Sequence, residues 1–125
     1  MKLMDEIAEG ESYGLEFKLV PNEERIKYLK TAVAFANGKG GRLLFGVAND
    51  GSVHGIAKDR VFQEMDGIVN SISDACSPHV PIDIGIKKVA VDDAGFAVRM
   101  NVYRNNATDD EVVNLPPLEN TWVRE

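Results

Sequence analysis

The chain has a single cysteine, Cys76, among its 125 residues, and it has no apolar run that approaches the ~20 residues of a membrane-spanning helix. One cysteine excludes a disulfide framework and a cysteine-based zinc site, and it fits a reducing compartment. The amino-terminal residues Met1–Glu6 also lack the apolar core of a signal peptide. We therefore expect a cytoplasmic protein that makes no contact with a membrane.

Basic residues are scarce, with 14 Lys and Arg against 20 Asp and Glu and a formal net charge of −6. This balance argues against a protein that coats nucleic acid, because neutralising phosphates requires clustered Lys and Arg. The shortage is uneven, however. Residues 16–60 carry eight basic and five acidic residues, which leaves this segment with a net charge of +3. The segment is either a binding surface or scattered, solvated charge.

The amino-terminal half first alternates between apolar and charged residues and then takes helical spacing. The alternation ends at Pro21, and the next residue, Asn22, can cap a helix whose apolar residues recur on one face. We expect strands over 15–20, 42–47 and 53–56, a helix over 22–37 between the first two, and a tight turn at Asn49-Asp50-Gly51.

The carboxy-terminal half repeats these signals. A second amphipathic helix is expected between Asp59 and Pro78, followed by a hairpin of strands over 82–87 and 96–102, a loop over 105–117 and a last strand over 121–124. The order β-α-β-β-α-β-β-β then gives a single α+β domain over residues 1–125, in which two amphipathic helices cover a mixed sheet.

The glycine-rich corner Asn37-Gly38-Lys39-Gly40-Gly41 has the composition of a phosphate-binding loop but not its order. A nucleotide-binding loop lies between a strand and the helix that follows, whereas these glycines follow a helix and precede a strand. This order disfavours nucleotide hydrolysis, and a helix stop followed by a tight turn explains the glycines. Lys39 and Arg42 flank the turn, where cations and backbone amides together can hold a phosphate oxygen.

Two carboxylates lie near the first strand, at Glu11 and Glu16, with a glycine between them that permits the chain to bend. Together with Asp50 they can hold a divalent cation through oxygen ligands and activate water against a phosphodiester. The alternative is that Glu16 and Lys18, on one face of a strand, form an ordinary ion pair. Both interpretations stay open at this point.

Three further residues are left out of the predicted site. Tyr103 and Trp122 can stack on bases, but aromatic residues near strand ends more often fill the core. Cys76 follows Ile72 by four residues on the apolar face of the second helix, which predicts a buried thiol rather than a nucleophile.

An ordered set of blocks resembles the Schlafen AlbA domain family, a domain proposed to bind DNA in predicted bacterial and archaeal transcriptional regulators. The resemblance runs continuously over residues 11–56, and the late Trp122-Val123-Arg124 is similar to the closing strand of the family. The blocks are Glu11-Ser12-x-x-Leu15-Glu16-Phe17-Lys18, Ala34-Phe35-Ala36-Asn37 with Gly40-Gly41, Leu44-Phe45-Gly46-Val47, Asp50-Gly51 and Gly55-Ile56.

The resemblance implies an α+β nucleic-acid-binding fold, which in longer regulators is joined to a winged-helix region. Members were once grouped with divergent ATPases. In some Schlafen proteins the domain resembles a metal-dependent RNA endonuclease with three carboxylates. The first two match Glu11 and Glu16. At the third the chain offers Ala48, Asn49 and Asp50, of which only Asp50 ionises.

We therefore expect a DNA- or RNA-binding domain that contacts mainly the phosphate backbone through Lys18, Lys39 and Arg42, helped by Lys27 and Lys30. No cofactor is expected for this role, and a homo-oligomer or further regulator domains would extend the surface. The alternative is a Mg²⁺- or Mn²⁺-dependent nuclease in which Glu11, Glu16 and Asp50 hold the metal and Lys18 steadies the phosphate. A third possibility is a protein-interaction domain without nucleic acid.

Overall fold

A computed structural model of the chain describes residues 3–12, 14–19, 25–76, 80–88 and 95–104. Within these residues the fold is α+β, as predicted. The elements, in chain order, are α1 (Leu3–Glu9), β1 (Leu15–Lys18), α2 (Arg25–Asn37), β2 (Gly41–Phe45), α3 (Val61–Ala75), β3 (Ile82–Lys88) and β4 (Phe96–Val102).

The four strands form one mixed sheet in the order β1-β2-β4-β3. Strand β1 runs parallel to β2, and α2 lies between them in the chain as the crossover that a parallel pair requires. Strand β4 pairs antiparallel with both β2 and β3. The predicted hairpin is confirmed, since Ile82 pairs with Val102 at one end and Lys88 pairs with Phe96 at the other.

One face of the sheet packs against α2 and α3, and we call it the α2/α3 face. Its strand residues alternate along β2 and β4, as expected where every second side chain is buried on the same side. The helices contribute buried residues at helical spacing, such as Tyr28, Leu29 and Ala32 from α2 and Ile68 and Ile72 from α3. The strand positions on this face are Leu43, Phe45, Val98, Met100 and Val102.

The other face packs against α1, and we call it the α1 face. Leu3 and Ile7 of α1 bury a smaller cluster with Leu15, Phe17 and Leu44 of the sheet. Sequence patterning did not predict this helix, because its seven residues are too few for a clear apolar period. The sheet is therefore covered on both faces, with α1 over β1 and β2.

The strands differ from the predicted bounds at the ends of β1 and β3 and at both ends of β2. Strand β1 ends at Lys18 and β2 ends at Phe45, both two residues earlier than expected. The short strand predicted over 53–56 is wrong, since Val53 and Ile56 form only isolated bridges, to Val47 and Phe96. The tight turn is confirmed, because the Gly51 amide donates to the Ala48 carbonyl at 2.9 Å.

The loop predicted over 105–117, the strand over 121–124 and residue Trp122 lie outside the described residues. In the part of the chain that is described, no helix has both the length and the apolar character needed to cross a bilayer. Cys76 is buried at the end of α3, and this burial raises the pKa of its thiol to about 11. The prediction of a buried thiol is therefore confirmed.

Candidate nucleic-acid interface

Helix α2 presents two lysines to solvent. The side of the helix that carries Tyr28 and Leu29 is buried against the sheet, so Lys27 and Lys30 lie on the exposed side. The two lysines are three residues apart, which places them next to each other on a helix surface. The exposed stripe continues through Ala34 and Asn37 at the same helical spacing and ends where α2 ends.

The turn between α2 and β2 adds a third exposed lysine, Lys39. The amides of Gly38 and Gly40 both donate to the Phe35 carbonyl, at 3.1 and 2.8 Å, and so close the last turn of the helix. Gly40 has φ +82°, a left-handed conformation that favours glycine. The glycines therefore stop the helix and carry Lys39 outward, in the helix–turn–strand order predicted from the sequence.

No acidic residue interrupts this part of the chain. Residues 25–42 contain five basic and no acidic residues. Among the described residues, no carboxylate forms an ion pair with Lys27, Lys30 or Lys39. The three lysines form the lysine stripe of α2, which is the exposed cationic surface of this segment.

Arg42, which the sequence predicts as a phosphate contact, is bound to carboxylates of the same chain. Its guanidinium donates to Glu6 Oε2 at 2.6 Å and lies 3.7 Å from Glu9 Oε2, so it is occupied by carboxylates of α1. Arg99 of β4 donates to the other oxygen of Glu6, whose side chain is only 1% exposed. Glu6 thus links α1 to β2 and β4, and the structure places Arg42 in the packing of α1 rather than on an open surface.

Lys18 is also set apart from the lysine stripe. It pairs with Phe45 across the β1–β2 ladder and so lies at the α2/α3 face, whereas Arg42 pairs with Leu15 and lies at the α1 face. The Lys18 side chain is 11% exposed and its Nζ lies 3.8 Å from Glu16 Oε2. The five predicted cations therefore do not share one cleft, because the sheet separates Lys18 from Arg42.

Glu11 and Glu16 are brought together, as the metal-site interpretation requires, and Glu16 also pairs with Lys18, as the alternative interpretation requires. Glu11 Oε2 accepts a hydrogen bond from the Phe17 amide at 3.3 Å, which turns it towards β1. The pKa of Glu16 is raised, first by burial and then by the hydrogen bond and the charge of Glu11, while Lys18 opposes the rise. Two carboxylates and an ammonium therefore meet at β1.

Asp50 is held in its own turn. Its Oδ1 accepts a hydrogen bond from the Ser52 amide at 2.8 Å, and the hydrogen bonds from Ser52 lower the pKa of this exposed carboxyl. In the described part of the chain, no group of three His, Cys, Asp or Glu side chains is close enough together to hold a metal ion. The structure therefore joins Glu11 to Glu16 but does not assemble the predicted set of three with Asp50.

Tyr103 and Arg104, which the sequence prediction did not include, are exposed directly after β4. Tyr103 is 51% exposed, so the expectation that it fills the core is wrong. Arg104 carried no signal in the sequence, since only the pairing of β4 with β2 places it near Lys39.

The fold and these residues define a class of protein, a small α+β domain with a basic helix stripe and a carboxylate pair at its first strand. The family model described as Schlafen, AlbA_2 matches residues 11–122. The match spans most of the chain, so the chain belongs to the Schlafen AlbA_2 family. This membership confirms the resemblance seen over residues 11–56, extends it along the chain and suggests a nucleic-acid-related function. A comparison with curated proteins gives no match.

Proposed function

We propose that this domain binds DNA or RNA through the phosphate backbone, as the nucleic-acid-binding part of a transcriptional-regulator type of protein. The lysine stripe of α2, Lys27, Lys30 and Lys39, makes the contacts. The observation that carries the proposal is the stretch over residues 25–42, which has no acidic residue and exposes these three lysines together on one helix and its closing turn. The cytoplasm, where the single buried thiol stays reduced, is the compartment that we propose.

Contacts of this kind are governed by charge. Each phosphate that a lysine neutralises releases condensed counterions, so affinity depends steeply on salt and little on sequence. The whole chain has a net charge of −6, so the part outside residues 25–42 is acidic and repels a polyanion. We therefore expect weak binding by one copy of the domain. Self-association or attached regulator domains would strengthen it through avidity.

The test is a titration of labelled duplex DNA and duplex RNA at low salt, followed by fluorescence anisotropy. The variant combines Lys27→Gln, Lys30→Gln and Lys39→Gln, and the matched control is Lys58→Gln, an exposed lysine outside the stripe. We expect the triple variant to lose roughly tenfold or more in affinity. The control should bind as the wild type does. Absence of binding by the wild type, or equal affinities for all three proteins, contradicts the proposal.

A second candidate function is divalent-metal-dependent nucleolytic cleavage. The observation that favours it is the contact between Glu11 and Glu16, with Lys18 beside them. Mg²⁺ or Mn²⁺ takes oxygen ligands of this kind, and Asp50 would have to leave its turn with Ser52 to supply a third.

Incubation of transfer RNA with the protein and Mn²⁺ tests this candidate. Wild type, Glu16→Gln and the exposed control Asp74→Asn are compared by gel. The candidate function requires that the wild type and Asp74→Asn cleave while Glu16→Gln does not. Equal cleavage by all three proteins, or none by any, removes it.

A further inference from the structure

The end of β4 meets the turn that carries Lys39. If Gly40 had a Cβ atom, that atom would lie 2.7 Å from the carbonyl oxygen of Val102 and 3.6 Å from both the Tyr103 Cα and the Arg104 amide nitrogen. The backbone of the turn therefore lies directly against the residues that follow β4. This contact depends on the absence of a side chain at Gly40.

The backbone of Tyr103 is fixed while its side chain is exposed. The Tyr103 amide donates to the Pro81 carbonyl at 3.0 Å, which extends the pairing of β3 and β4 by one position. The residue is nevertheless 51% exposed. Single exposed aromatic residues are ordinary on protein surfaces, so exposure alone does not mark a site. Its neighbours distinguish Tyr103.

Two cations belong to the backbone segments that meet at this aromatic residue. The ladder pairs Gly41 with Val102, and the backbone of Gly40 lies against Tyr103 and Arg104, which brings Lys39, the residue before Gly40, to this end of β4. Both Lys39 and Arg104 are exposed. Asp83, on the adjoining strand β3, is an acidic residue in this region, and it pairs with Asn101 further along the sheet. Lys39 and Arg104 outnumber that carboxylate. Because Lys39 is also the last residue of the lysine stripe, the stripe reaches this end of the sheet.

We propose that Tyr103, Lys39 and Arg104 form a binding site for single-stranded nucleic acid, in which the tyrosine ring stacks on a base and the two cations bind the flanking phosphates. This inference rests on the proposed function and narrows its substrate class. Bases inside a duplex are already stacked and offer no free face, whereas a single strand presents each base to an aromatic side chain. Because every base has such a face, the site tolerates any sequence.

The experiment compares three labelled ligands, a single-stranded thymidine oligomer, an abasic oligomer with the same number of phosphates, and a duplex. The proteins are wild type, Tyr103→Ala, Tyr103→Phe, Arg104→Gln and the control Phe62→Ala. Phe62 is 64% exposed on α3 and is therefore a matched aromatic residue away from the site. The abasic ligand retains the charge but removes the surface on which the ring stacks.

We expect the wild type to bind the thymidine oligomer at least about fivefold more tightly than the abasic one, which corresponds to one stacked base. Tyr103→Ala should lose this preference while keeping its affinity for the abasic ligand and for duplex. Tyr103→Phe and Phe62→Ala should retain the preference. Arg104→Gln should keep the preference but bind both single strands more weakly and with a smaller salt dependence.

The possible failures are distinct. If wild type binds all three ligands equally, or if Tyr103→Ala keeps the preference for bases, the single-strand site is wrong while salt-dependent binding through the lysine stripe still stands. If no ligand binds with an affinity that falls as salt is added, the proposed function itself fails and the single-strand site fails with it.

Discussion

Glu6 determines the role of Arg42. A carboxylate that is 1% exposed and receives hydrogen bonds from two arginines is a fully desolvated charge with matched partners. Its position in the chain is 36 residues from Arg42 and 93 residues from Arg99. No local pattern in the sequence links these residues. The sequence therefore predicts that Arg42 binds phosphate, whereas in the structure Arg42 holds α1 against the sheet.

Removing the charge of Glu6 should destabilise the protein strongly. In Glu6→Gln, two arginines that are 32% and 17% exposed lose their shared carboxylate, and we expect the free energy of unfolding to fall by about 3 kcal/mol. The control is Glu9→Gln, because Glu9 is 46% exposed and only 3.7 Å from Arg42, which predicts a loss below about 0.5 kcal/mol. Urea unfolding measures both values, and similar losses for the two variants would show that burial of Glu6 has no special role.

Gly40 offers a second test at the scale of one residue. Gly40→Ala introduces both a left-handed alanine and a Cβ atom 2.7 Å from the Val102 carbonyl oxygen. Gly10→Ala is the matched control, because Gly10 has φ +77° but nothing within 4 Å of the added atom. The control should lose about 1 kcal/mol of stability from backbone strain alone. Gly40→Ala should lose at least about 1 kcal/mol more because of the contact. Equal losses would mean that the turn does not pack against β4.

At the scale of elements, β1 concentrates charges that titrate together. The pKa of Glu16 lies above its ordinary value of 4.5, with burial as the largest cause and Glu11 as the next. The folded state therefore holds this proton more tightly than the unfolded chain does. The stability that results is complete below the unfolded pKa and is lost as pH rises through the folded pKa.

Glu16→Gln should consequently stabilise the protein near neutral pH, since the neutral amide avoids both the burial of charge and the repulsion from Glu11. The gain in urea midpoint over the wild type should shrink as the pH falls towards 4.5, the ordinary pKa.

Asp50→Asn should change stability in the opposite direction, because the hydrogen bonds from Ser52 lower the pKa of Asp50 and stabilise its charged form. That variant should be less stable at neutral pH, with a deficit that disappears on acidification. A gain for Glu16→Gln that grows at low pH would contradict the arrangement of β1.

The predictability of each element follows from the range of the interactions that form it. Helices α2 and α3 and the β3–β4 hairpin carry their own apolar periods, so the sequence predicts them and the structure confirms them. Helix α1 depends on contacts of Glu6 with distant strands, and the separation of Lys18 from Arg42 depends on register between strands. Patterns within a short window contain neither kind of information. For the same reason the sequence does not bring Tyr103 and Arg104 close to Lys39, whereas the pairing of β4 with β2 does.

At the scale of the whole molecule, the lysine stripe of α2 belongs to a chain that is acidic elsewhere. The acidic residues Asp5, Glu6 and Glu9 of α1 lie over one face of the sheet, and the lysine stripe of α2 lies over the other. A chain with a net charge of −6 can nevertheless present a basic helix, because residues 25–42 contain no acidic residue, while α3 on the same face carries Glu64, Asp66 and Asp74. The overall charge still predicts that the contact is weak and easily screened by salt.

The salt dependence of duplex DNA binding tests this account most directly. Each phosphate contact contributes about −0.9 to the slope of log K against log salt concentration, so three lysines account for roughly −3. We predict that the combined Lys27→Gln, Lys30→Gln and Lys39→Gln variant loses about that much of the wild-type slope, while Lys58→Gln keeps all of it. Equal slopes for the wild type and the triple variant would contradict the assignment of the phosphate contacts to the lysine stripe of α2.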